Sequence, residues 1–117
     1  MKLLSKQIFT SKGSDNIRSL KYMIKNNILI INDLDGLMKL GDILSSKTRL
    51  LILYSLSRNN GLSIKELSKI TGLPISVISK HVKKLEEAGL VISGLKNGNR
   101  GLRKIVIRRI SKIMVNL

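Results

Sequence analysis

From Ser63 to Val91 the apolar and polar positions follow the 3.6-residue period of two amphipathic helices separated by a sharp break. Ile64, Leu67 and Ile70, with Leu73 beyond them, supply the buried side of the first helix. Ser63 and Glu66 stand at capping-box spacing, so the Ser63 hydroxyl can accept from the N–H of Glu66 while the Glu66 carboxylate reaches back to the N–H of Ser63. Leu62 and Leu67 occupy the positions of a hydrophobic staple. Gly72 suits a left-handed residue ending the first helix, and Pro74 cannot extend that helix but can open the next. The second helix, about Ile75 to Ala88, gathers Ile78, His81, Val82, Leu85 and Ala88 on one face, and Ser76, Ser79, Lys80, Lys83, Lys84 and Glu87 on the other. Gly89 closes it, with Leu90 as the apolar contact after the cap.

The rest of the chain frames this pair. A first helix is expected over Asp15–Asn26, with Ser14 as N-cap and Ile17, Leu20, Met23 and Ile24 sharing a face. Asn26-Asn27 then ends it, and periodicity does not assign the apolar run Ile28–Ile31 that follows. A second helix starts at Asn32 or Asp33 and runs to Leu44, and Ser45-Ser46 caps a third over Lys47–Arg58, stopped by Asn59-Asn60-Gly61. After Gly89 the pattern becomes extended. Leu90–Leu95 and Leu102–Arg108 read as strands joined by the turn Lys96–Gly101, which is rich in residues that tolerate positive φ. The run 110–117 fits helical and strand spacing alike, and its β-branched content favours a strand. The fold class expected is mainly α with a small β-hairpin (α+β), a winged helix-turn-helix. It occupies residues 32–117, preceded by an extension over 1–31 that either completes the core or meets a second subunit.

Charge sharpens this picture. Lys and Arg number 22 against 7 acids, a net +15 over 117 residues, which favours a polyanionic partner, DNA before RNA or an anionic membrane surface. Seven basic residues and no acid follow Glu87: Lys96, Arg100, Arg103, Lys104, Arg108, Arg109 and Lys112. Small hydroxyls can approach base edges and cations can meet phosphates. Ser76, Ser79 and Lys80 are therefore the candidates for base contact, with Lys83, Lys84, Arg49, Lys96, Asn99, Arg100 and Arg103 on the backbone or, from the wing at 95–103, in the minor groove.

Other chemistry finds little support. The chain has no cysteine and one histidine, so no thiolate metal site, disulfide or cysteine switch is expected, and no cofactor or metal. No acid–base or nucleophile–base pair stands out, and an enzyme is not expected. Asp33 and Asp35 suit a helix start, where carboxylates stabilise the positive end of the dipole. Met1–Phe9 lacks the apolar stretch of a secretory leader, and Leu50–Tyr54 is the longest apolar run, too short to span a membrane. A cytoplasmic, nucleoid-associated protein is expected.

Several stretches resemble the winged helix-turn-helix regulators of the ArsR type, especially archaeal members. Leu40-Gly41-Asp42 and Thr48-Arg49-Leu50-Leu51-Ile52-Leu53 resemble the family's "LGDPTRLRIL" signature. Ile78-Ser79-Lys80-His81-Val82-Lys83-Lys84-Leu85-Glu86-Glu87-Ala88-Gly89-Leu90-Val91 is similar to its "VSxHLKxLExAGLV". The resemblance covers Leu34 to Arg108, about two-thirds of the chain. It implies a homodimeric DNA-binding regulator, more often a repressor than an activator, and a partly buried place for His81. Metal sensing is not carried over, because the Cys and His clusters are missing. No long C-terminal dimerisation helix follows the wing, so the extension and the Asn32–Leu44 helix are the candidates for a dimer contact. The alternative is a non-specific architectural DNA-binding protein, favoured by the +15 charge. Against it stand Ser76 and Ser79 among the cations, and a wing tip of Gly, Asn, Lys and Arg with no apolar wedge. A winged helix serving protein assembly would have no need of the cationic helix face.

Overall fold

The computed structural model describes residues 22–116. Strands β1 (Tyr22–Lys25) and β2 (Ile28–Ile31) lead into helices α1 (Leu34–Leu44), α2 (Lys47–Arg58), α3 (Ile64–Thr71) and α4 (Ile75–Glu87). Strands β3 (Val91–Gly98), β4 (Gly101–Arg108) and β5 (Lys112–Val115) follow. The α+β winged helix read from the sequence is the fold observed.

The helix boundaries follow their caps. Asp33 accepts from the N–H of Gly36 at 2.9 Å to start α1, and Ser46 accepts from that of Arg49 at 3.2 Å to start α2. At α3 the reciprocal box forms: Glu66 N–H donates to Ser63 Oγ at 3.0 Å, and Ser63 N–H to Glu66 Oε1 at 2.8 Å. Gly72 ends α3 with φ 75°, a left-handed conformation a side chain would oppose. Gly89, at φ 81°, follows α4, where its N–H donates to Glu86 and that of Leu90 to Leu85, a Schellman termination.

The N-terminal segment departs from expectation. Tyr22–Lys25 is a strand, not the end of a helix; the rest of the helix expected over Asp15–Asn26 lies outside the described residues. Asn26 and Asn27 do not cap a helix. They form a two-residue hairpin loop, both at positive φ (54° and 65°), between the paired residues Lys25 and Ile28. This is the type I′ geometry that Asn tolerates better than most residues and that matches the strand twist.

β2 is then the centre of a three-stranded sheet of order β1-β2-β5. It pairs antiparallel with β1 and parallel with β5, Ile28 facing Lys112 and Ile31 facing Val115. The strand favoured for 110–117 is thus found at Lys112–Val115. A parallel pair needs a long crossover, and here that crossover is the four helices and the hairpin. Leu29 and Ile31 point into the core with no exposure. There they join Leu40, Ile52, Leu56, Leu62, Leu67, Ile78, Val82, Leu85, Leu90, Val91 and Val106. Residues 22–31, placed by sequence in the extension, therefore help build the core under the helix-turn-helix.

Candidate nucleic-acid interface

Helix α4 divides as its period demands. Ile78, Val82 and Leu85 are buried against the core, while Ser76, Ser79, Lys80, Lys83, Lys84 and Glu87 are all exposed. Two short hydroxyls and three ammonium groups thus share one solvent face of a 13-residue helix.

The hairpin after α4 is longer than its sequence suggested. β3 and β4 pair from Val91 with Arg108 as far as Gly98 with Gly101, so the turn is Asn99-Arg100 alone. Lys96, read as part of the turn, is paired with Arg103 across the ribbon. Leu62 adds a third partner at the base, exchanging N–H···O bonds of 3.1 and 2.7 Å with Val106. Lys96, Asn99, Arg100 and Arg103 are exposed on this hairpin. Its base is fastened to α4, since Ser93 Oγ donates to Glu86 Oε2.

A second fastening joins the wing to α3. Arg103 Nη2 lies 2.8 Å from Glu66 Oε1, the oxygen that also caps Ser63. Glu66 is held below its ordinary carboxylate pKa, first by the Ser63 backbone N–H and then by Arg103, with desolvation opposing them. One carboxylate therefore both starts α3 and aims an arginine of the wing. The sequence marked Glu66 as a cap and Arg103 as a DNA contact, but nothing local linked two residues 37 positions apart.

Arg49 requires a correction. Expected on phosphates, it is only 8% exposed, and each of its three side-chain nitrogens meets a partner inside the protein. Nε donates to Ile43 O at 2.6 Å, Nη2 to Asp42 O at 3.2 Å, and Nη1 reaches His81 Nδ1 at 3.0 Å. The carbonyls belong to the last turn of α1, where helix oxygens lack the usual intrahelical partner; that of Asp42 accepts from Ser45 as well. Arg49 is thus a structural tie between α1, α2 and α4. His81 is half-buried on the inner side of α4, as its helix position indicated. Burial, then Arg49, Lys84 and Lys80, hold its pKa below the ordinary 6.5.

Among the described residues no group of three or more His, Cys, Asp or Glu could hold a metal ion. No helix among them is long and apolar enough to cross a membrane.

The chain is similar to known proteins over this part of the fold. Residues 46–93 match the family model described as bacterial regulatory protein, arsR family. The HTH-type transcriptional regulator YgaV of Escherichia coli (strain K12) is 44% identical over 50 residues, which cover 43% of this chain and 50% of that protein. The chain therefore spans about half the length of the curated relative it matches. Among solved structures, Stf76 from the Sulfolobus islandicus plasmid-virus pSSVx is similar with a TM-score of 0.51 at 16% identity, over 57% of this chain and 87% of that one. At that identity the likeness concerns the fold. From α2 to the first residues of the wing, this chain is thus similar to the helix-turn-helix of the arsR family, within a winged-helix fold.

Proposed function

We propose that the protein is a transcription regulator that binds a defined double-stranded DNA site, with α4 in the major groove and the wing on the backbone and minor groove. The observation that carries this reading is the solvent face of α4. Ser76 and Ser79 are short enough to let the helix approach base edges, and Lys80, Lys83 and Lys84 surround them with phosphate-binding charge. Arg49 has no part in the interface. Lys96, Asn99 and Arg100 extend it along the hairpin, and Arg103 does so from its station against Glu66. The match to the arsR family over this segment supports the same reading.

The regulator acts as a homodimer on a palindromic operator and, by its resemblance, as a repressor in the cytoplasm. Support for the dimer comes from apolar residues left on the outside of α1 and α2: Leu34, Met38 and Tyr54 are each more than 60% exposed. Two copies of α4 would then enter major grooves about 34 Å apart.

A non-specific architectural role is the second reading, and the net charge of +15 favours it. Random-site selection followed by fluorescence anisotropy at low and physiological salt separates the two. A recovered motif bound about 10³-fold or more tighter than a scrambled duplex at physiological salt marks a specific regulator. Equal affinities falling together with salt, and no motif, overturn it in favour of the architectural role.

A further inference from the structure

The register of the wing sorts its side chains into two faces, because successive residues of a strand point to opposite sides. Val91, Ser93, Leu95 and Asn97, opposite Arg108, Val106, Lys104 and Leu102, form one of them. At the base this face belongs to the body: Val91 and Val106 lie in the core, and Ser93 bonds Glu86 of α4. Towards the tip the same face carries Leu95 and Leu102, which are 67% and 64% exposed. Leu95 stands opposite Lys104, so Leu102, two residues from Lys104, is its diagonal neighbour and within reach of it.

A single exposed leucine needs no explanation. Two adjacent ones at the end of a slender ribbon, framed by the exposed cations Lys96, Arg100 and Lys104, do. No acid occurs from Ala88 onward, so the cover for this patch must tolerate, and be drawn by, dense positive charge. The minor groove of a duplex meets both requirements: its phosphate walls attract the cations, and its sugars and base steps offer apolar contact.

Contrary to the expectation of a wing tip without an apolar wedge, we propose that Leu95 and Leu102 form one that enters the minor groove beside the site read by α4. There the wedge partly unstacks a base step and bends the duplex. This leaves Ser76 and Ser79 as the features that argue against a purely architectural role. The inference rests on the DNA-binding reading above and extends it. Flexible pyrimidine–purine steps flanking the major-groove site become part of the preferred sequence, although no hydrogen bond reads them.

The test uses the full chain and a duplex of about three helical turns, taken from random-site selection or of mixed sequence if no motif emerges. 2-Aminopurine is placed at successive flanking steps, and a fluorophore pair at the ends reports bending. The wild-type protein should raise 2-aminopurine emission severalfold at one step and shorten the end-to-end distance. The double variant Leu95→Ala/Leu102→Ala should still bind, about tenfold more weakly, with an unchanged salt slope and with both signals lost. Arg100→Ala should flatten the salt slope and keep the emission change. Both leucines lie at the surface, and an unchanged melting temperature shows that the double variant is folded. Wild-type binding without unstacking or bending, or a double variant that bends DNA as well as wild type, overturns the wedge and leaves DNA binding standing. Absence of binding to any duplex removes both. Loss of self-association in the double variant, with DNA bending intact, would assign the patch to a second copy instead.

Discussion

Arg49 donates from Nη1 to Nδ1 of His81 across 3.0 Å, tying α2 to the inner face of the helix whose outer face carries Ser76, Ser79 and Lys80. Its other two nitrogens hold the carbonyls of Asp42 and Ile43. Truncation to alanine takes the Arg49 donor from Ile43 O and His81 Nδ1, while Asp42 O keeps Ser45 as a donor, and a buried polar group without a partner costs about 1–3 kcal/mol. Arg49→Ala should therefore destabilise the fold by roughly 3 kcal/mol and lower Tm by 10 °C or more, on the order expected for a domain of this size. Arg49→Lys should recover only part of this, because an ammonium lacks the planar fork that reaches three directions. Thermal unfolding by circular dichroism measures both. A variant that melts like wild type but loses salt-dependent DNA affinity would return Arg49 to the phosphates.

The same bond sets the protonation of His81. An arginine has donors only, so Nδ1 must be the bare nitrogen and Nε2 must carry the hydrogen. Burial first, and the charges of Arg49, Lys84 and Lys80 after it, keep the folded pKa below 6.5. As pH falls below that value the unfolded chain takes up a proton that the folded one refuses, so stability decreases with acidification until the folded pKa is passed. Glu66 acts in the same direction, but only below its ordinary 4.5. Its stabilisation is present above that pH and disappears as the pH drops through its depressed folded pKa. Urea unfolding between pH 7 and pH 5 should show a decline for wild type and a flatter profile for His81→Gln. Parallel profiles would show that His81 is protonated alike in both states.

Asn27 closes the ends of the described chain together. It sits at φ 65°, its Nδ2 donates to Arg109 O at 2.7 Å, and its own carbonyl accepts from the N–H of Ser111 at 2.7 Å. Alanine at this position meets a left-handed penalty of about 1 kcal/mol and loses a hydrogen bond worth about 1 kcal/mol. Asn27→Ala should thus cost roughly 2 kcal/mol, and Asn27→Gly about half as much, since glycine carries no penalty at positive φ. Hydrogen exchange should quicken at Ser111 and Asn116, whose N–H groups bond Asn27 and Ile31. Exchange that speeds up uniformly across the molecule would instead mean that β5 does not open as a separate unit.

These residues also show what could be read without coordinates. Ser63, Glu66, Gly72 and the two faces of α4 act within one or two turns of chain, so spacing alone located them. The hairpin was legible from Asn97, Gly98 and Gly101, although the first strand runs three residues and the second one residue further into the turn than expected. Asn26-Asn27 misled because the same dipeptide can end a helix or turn a hairpin. The choice is made by a parallel partner, Lys112–Val115, that lies more than eighty residues away. Arg49 misled for a similar reason: a count of cations does not show which of them meet buried carbonyls. The leucines of the wing were visible as residues, but only the register makes them neighbours on one face.

Lys80 and Arg100 should fail differently when removed, and the contrast tests how the interface divides its labour. Lys80 is exposed on α4 between Ser79 and the core-facing His81, whereas Arg100 is exposed at the tip of the wing, in the turn Asn99-Arg100. A side chain that reads a base edge contributes about 1–3 kcal/mol of discrimination at one position, while a phosphate contact weakens every sequence alike and lowers the salt slope by about one. Lys80→Ala should therefore narrow the affinity gap between the selected site and a scrambled duplex by roughly tenfold or more. Arg100→Ala should leave that gap intact while reducing both affinities and flattening log Kd against log salt. Anisotropy titrations of both variants on both duplexes at several salt concentrations provide the comparison. A Lys80→Ala protein with wild-type discrimination would move base reading to Ser76 and Ser79 alone and leave Lys80 with the phosphates.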